Sequence, residues 1–68
     1  MIGEIERFIR LDMRAMRLAN MTLRENFALS APWRYTLWLG GMVVRHFNSL
    51  DEVETYLAEI ARSAEAGR

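Results

Sequence analysis

The sequence has no cysteine and no lysine, and only one histidine and one proline among its 68 residues. Without cysteine there is neither a disulfide nor a thiolate to act as nucleophile or metal ligand. A single histidine, His46, excludes a histidine-rich metal cluster. Long apolar runs are lacking too. The longest, Leu37 to Val44, falls far short of the ~20 residues of a membrane-spanning helix and has Gly40 and Gly41 in its middle. The opening stretch MIGEIERFIR puts carboxylates and arginines where a secretory leader needs uninterrupted apolar residues. A cytoplasmic protein with no membrane partner is therefore expected. No nucleophile–base pair, metal cluster or glycine-rich phosphate loop can be read, so no enzyme and no cofactor are expected. Gly-Gly alone is a turn, not a nucleotide signature.

With 51% hydrophobic residues the chain is too apolar for disorder. At this length it is one domain, residues 1–68. Below roughly 70–80 residues one core rarely supplies more than about 3–5 kcal/mol, so small folds add a staple. With disulfide and metal excluded, the staple left is association, with itself as a homodimer or with a protein partner. All nine basic residues are arginine. Coding bias of a GC-rich bacterial or phage genome explains that blandly. Selection for the planar guanidinium, which grips carboxylate and phosphate bidentately, explains it functionally.

Net charge is zero but unevenly spread. Residues 1–48 hold seven arginines against four carboxylates, a balance of +3, and residues 49–68 hold two against five, a balance of −3. The halves can attract each other within one molecule or between copies.

The pattern predicts α+β, in the order α-β-β-α: a helical segment over 1–29, a two-stranded hairpin over 33–47 and a C-terminal helix over 49–66. In the first segment Gly3 can cap, and Glu4 and Glu6 suit the N-terminal dipole. Ile2, Ile5, Ile9, Met16, Ala19 and Leu23 recur at helical spacing and are expected to pack on the sheet. Part of that spacing is coiled-coil-like. Asp12 is the misfit on this face and needs a donor, with His46, Tyr35 or an arginine as candidates, or a place at an edge. Another face carries Arg7, Arg10, Arg14, Arg17 and Arg24, a stripe that is either solvated or docked on something acidic. Thr22 and Glu25 match a capping box, so helix is expected to about Leu29, with a turn at Ser30 to Pro32. An extra strand is the minor alternative.

Gly40 and Gly41 between alternating apolar runs signal a two-residue hairpin turn. An uninterrupted register from that turn puts Tyr35, Leu37, Leu39, Met42, Val44 and His46 on a core face. Arg34, Thr36, Trp38, Val43, Arg45 and Phe47 fall on the other. That second face mixes large apolar groups with arginine, the composition of interface hot spots, unless the last helix covers it. In the last segment Ser49 and Glu52 form a capping box, and Leu50, Val53, Leu57, Ile60 and Ala64 form a stripe bordered by Tyr56. Gly67 can end this helix. The run V-x-x-F-x-S-L-x-E-x-x-x-Y-L, Val44 to Leu57, is similar to a tail of small bacterial and phage proteins, and implies hairpin-then-helix packing.

The expected function is protein binding, by an accessory, regulatory or inhibitor protein (anti-CRISPR type included) that occupies a partner's surface. The binding residues would be Arg7, Arg10, Arg14, Arg17, Arg34, Trp38, Val43, Arg45 and Phe47. Nucleic-acid binding through the arginine stripe and hairpin is the second reading. Zero net charge weighs against it, because a basic domain is the usual footprint.

Overall fold

The first helix stops where the chain enters a left-handed turn. Asn20 has φ 58° and ψ 36°, a conformation that asparagine tolerates better than most residues. Its N–H reaches Met16 O at 3.0 Å, and the Met21 N–H reaches Ala15 O at 3.2 Å. These bonds reach four and six residues back and satisfy two of the carbonyls left over at the helix end, and Met21 is buried just beyond it. The chain reverses and continues as a strand. The computed structural model describes residues 3–26 and 32–66. It consists of α1 (Glu4–Ala19), β1 (Thr22–Glu25), β2 (Tyr35–Leu39), β3 (Met42–Phe47) and α2 (Leu50–Ala66).

The fold is α+β, but with three strands rather than two, in the order β1-β2-β3 and antiparallel throughout. The expected helix over Thr22 to Glu25 is corrected to strand β1. The T-x-x-E pattern does not cap a helix there, because the turn at Asn20 has already redirected the backbone. Alternation then buries Met21 and Leu23 and leaves Arg24 exposed. The expected continuation of that helix to Leu29, and Ser30 of the expected turn, lie outside the described residues.

Gly40 and Gly41, at φ +56° and +86°, make the expected turn, and Leu39–Met42 and Trp38–Val43 pair as expected. The register then slips. Leu37 pairs with Arg45, Thr36 with His46 and Tyr35 with Phe47, leaving Val44 as the extra residue of a bulge. Because side chains alternate, a one-residue slip moves every later β3 side chain to the opposite face. Phe47 and Arg45 therefore join Tyr35 and Leu37, whereas His46 leaves the core face. Leu39, Met42 and Val44, also expected in the core, are exposed.

Both helices lie on one face of the sheet. Phe8 approaches Tyr35 at 6.0 Å between ring centroids, and Phe47 approaches Tyr56 at 5.6 Å. Leu11 and Ala15 of α1 meet Leu50, Val53 and Leu57 of α2 in one cluster over Leu23, Leu37 and Phe47. The Cα trace is 16 Å thick in its shortest direction, room for one sheet and one helix layer. The capping box of α2 forms as expected. The Glu52 N–H donates to Ser49 Oγ at 3.3 Å, and the Ser49 N–H donates to Glu52 Oε2 at 3.2 Å.

The expected core stripe of α1 is corrected. Phe8, Leu11, Ala15 and Leu18 face inward. Ile5, Ile9 and Met16 are exposed, Ala19 is exposed, Leu23 is in β1, and Ile2 lies outside the described residues. The helix carries two apolar stripes about 135° apart at 100° per residue, and the sheet takes the one with Phe8 and Leu11. Asp12 finds its donor in the backbone rather than in His46, Tyr35 or an arginine. Its Oδ1 accepts the Leu23 N–H at 2.9 Å. That amide belongs to β1, an edge strand, so the carboxylate satisfies a donor the ladder leaves over.

Candidate functional site

The face of the sheet opposite the helices has no element packed on it among the described residues. The register places Thr22 and Arg24 of β1, Thr36 and Trp38 of β2, and Val43 and His46 of β3 on this face. Trp38 is half-buried, and Arg24, Val43 and His46 are exposed. A shallow groove runs between Thr22, Arg24, Asn26, Trp38 and the Gly40–Gly41 turn.

A polar network organises the other end of the face. The Asn26 side-chain amide donates to Thr36 Oγ1 at 2.9 Å and to the Trp33 carbonyl at 3.2 Å. Thr36 Oγ1 lies 2.9 Å from His46 Nδ1. The Trp33 indole stacks on the His46 ring, 4.5 Å between centroids and 14° between planes. This explains how Thr36, a polar residue on an open face, is buried: Asn26 and His46 saturate its oxygen, and no buried side-chain polar atom lacks a partner among the described residues.

The sequence-predicted site residues do not stay together. Trp38 and Val43 lie together on the open face. Phe47 does not: at 4% exposure it is core, turned inward by the bulge. Arg45 turns with it, its guanidinium 5.2 Å from the centre of the Tyr56 ring. Arg34 lies 3.7 Å from Glu25 Oε1 and 5.6 Å from the Tyr35 ring centre.

The arginine stripe is real on α1 but shorter than expected, because Arg24 is in β1. Arg7 bonds Asp51, and it bonds Glu54 at 2.6 Å. The basic first helix and acidic second helix thus meet within one molecule. The bond to Glu54, then that to Asp51, raises the Arg7 pKa further above its ordinary value. Arg10, Arg14 and Arg17 make no ion pair among the described residues. Arg10 and Arg14 border a groove with Leu11 and Glu54 between the helices.

Two features escape the sequence-based site. Trp33 joins the open face through a stack that no spacing rule reveals. The second is the outer stripe of α1, with Ile5 78%, Ile9 50%, Met13 51% and Met16 49% exposed. Its signal was in the sequence, but so was the competing Phe8–Leu11–Ala15–Leu18 stripe at equally good helical spacing.

Among the described residues no cluster of His, Cys, Asp or Glu could hold a metal ion, and no helix is long and apolar enough to cross a membrane. No protein-family model matches the chain, and comparison with curated proteins and with solved structures gave no match.

Proposed function

We propose that the chain is a small, non-enzymatic protein-binding module that works as a homodimer and acts by occupying a partner's surface. The observation that carries this reading is the open sheet face. It presents Trp38, Trp33 and Val43 beside Arg24, with the polar groups between them already satisfied. Exposed aromatic groups with a flanking arginine are the residue types that dominate binding energy at protein interfaces. A satisfied polar network also lets the face be covered without leaving a buried donor unpaired. The size and the arginine-only basic set suit a bacterial or phage accessory or inhibitor protein, anti-CRISPR type included, acting in the cytoplasm by steric occlusion.

Trp38→Ala tests it. Truncating a central anchor should weaken partner capture about 30-fold, the effect of roughly 2 kcal/mol, while the far-ultraviolet spectrum stays native. Unfolding of the variant would make Trp38 a core residue, and undiminished capture would remove the face from the interface.

Nucleic-acid binding has one observation in its favour: Arg10, Arg14 and Arg17 make no ion pair among the described residues, and bases can stack on exposed aromatic groups. A salt titration with random duplex and single-stranded DNA decides this. Phosphate contacts give a linear loss of log affinity with log salt, and no binding at low salt eliminates the reading.

A further inference from the structure

The outer face of α1 is apolar along three turns, is left largely exposed by the described residues, and has a charge layout that repeats under a two-fold axis. From these features we infer that α1 pairs antiparallel with α1 of a second copy, Ile5 of one against Met16 of the other and Ile9 against Met13. The inference rests on the homodimer proposed above and names its surface.

The residues of the stripe are spaced four, four and three apart, which keeps them on one side of the helix over about 16 Å at 1.5 Å per residue. Such 3-and-4 spacing packs against its like at a shallow crossing angle. Methionines at two of the four positions can adapt to the gaps between the isoleucines. The stripe lies on the opposite side of α1 from Arg7, which faces α2, so a second helix could lie there without displacing the first pair.

Charge selects the occupant. Glu6 and Arg17 flank the stripe on the same side, one near each end of α1 (Glu4–Ala19). A two-fold axis across the middle of α1 reverses the helix but keeps its sides. It therefore brings Glu6 of each copy to Arg17 of the other, twice per dimer. The same axis sets the two helix dipoles antiparallel. A patch complementary to itself in this way is isologous, the kind of interface a closed dimer uses. Zero net charge leaves no overall repulsion between copies. A parallel arrangement would instead put the two copies' Glu6 and Arg17 on opposite sides of the seam, where neither meets its complement.

Sedimentation equilibrium of the full chain, from nanomolar to high micromolar concentration, tests this with four variants. The wild type should form a dimer, and Ile9→Glu, which buries two charges at the centre of the seam, should weaken it at least about 30-fold. Glu6→Arg and Arg17→Glu should each weaken it about 3- to 30-fold by replacing two attractions with two repulsions. Their combination, E6R with R17E, should return the dissociation constant to within about 2-fold of wild type, because the swapped charges are again complementary. All three changed positions, Glu6, Ile9 and Arg17, are exposed, and circular dichroism of each variant confirms that it is folded. A dimer indifferent to Ile9→Glu, or a charge swap that fails to restore what the single changes lose, overturns the antiparallel seam and leaves the homodimer standing on another surface. A folded wild type that stays monomeric at all concentrations overturns both.

Discussion

Removing the Asp12 carboxylate is expected to destabilise the fold through the edge of the sheet rather than through the helix that carries it. In Asp12→Ala the Leu23 N–H loses its acceptor, now at 2.9 Å. The site is part-buried, so water can compensate only in part. Leaving such a donor unpaired costs about 1–2 kcal/mol, within the usual range for a lost partner. Alanine's better helix propensity returns a few tenths of a kcal/mol at most. For a domain of this size about 1 kcal/mol moves the melting midpoint by roughly 4–8 °C, so the variant should melt about 4–14 °C lower. Thermal unfolding by circular dichroism measures this, at one low protein concentration because self-association would make the midpoint depend on concentration. Asp12→Asn keeps an oxygen acceptor and should recover at least half the loss. Hydrogen exchange should show the Leu23 amide losing protection more than the amides of α2. An alanine variant that melts within 1–2 °C of wild type would refute the reasoning, and would mean that solvent satisfies Leu23 equally well.

Two other perturbations probe the core. Leu57 is fully buried between the sheet and α1, so Leu57→Ala should cost about 2–5 kcal/mol and shift the urea midpoint sharply down. An unchanged midpoint would show that α2 is not seated as described. Burial raises the pKa of the Tyr35 hydroxyl above its ordinary value, with the charge of Glu4 adding to the effect and Arg34 opposing it. The neutral phenol is the form the fold favours. Its contribution is therefore complete below the unfolded pKa of about 10 and is lost as pH rises through the higher folded pKa. Unfolding free energy should fall above about pH 10, and Tyr35→Phe should flatten that slope; an identical alkaline slope in the variant would place the effect elsewhere.

Much of the architecture was legible because some signals are local. Gly40 and Gly41 can both take positive φ, and Ser49 and Glu52 can reach each other's amides, whatever surrounds them. The failures share a different cause. Val44 bulges out, yet the residues around it alternate well in either register, so nothing nearby announces the slip that sends Phe47 into the core and His46 out of it. Thr22 and Glu25 fit a helix cap by type, but the decision was made two residues earlier by Asn20. On α1 two apolar stripes compete, and only the shape of the sheet chooses between them. Asp12 was the clue, a carboxylate beside Ile5 and Ile9 that made sense only at an edge. The binding face was half legible. Trp38 and Val43 are the second pair from the turn, before the bulge, and stayed where alternation put them. Arg45 and Phe47, beyond it, did not.

The most direct test of the account is the solution mass of the unmodified chain at micromolar concentration. The outer stripe of α1 exposes the equivalent of a little more than two whole apolar side chains per copy. At about 1.5–3 kcal/mol each, two copies gain roughly 7–14 kcal/mol by covering it, against an association cost of about 4–15 kcal/mol. The account predicts a folded species of twice 7.9 kDa. A folded, thermally stable species of 7.9 kDa that persists to high micromolar concentration would contradict it.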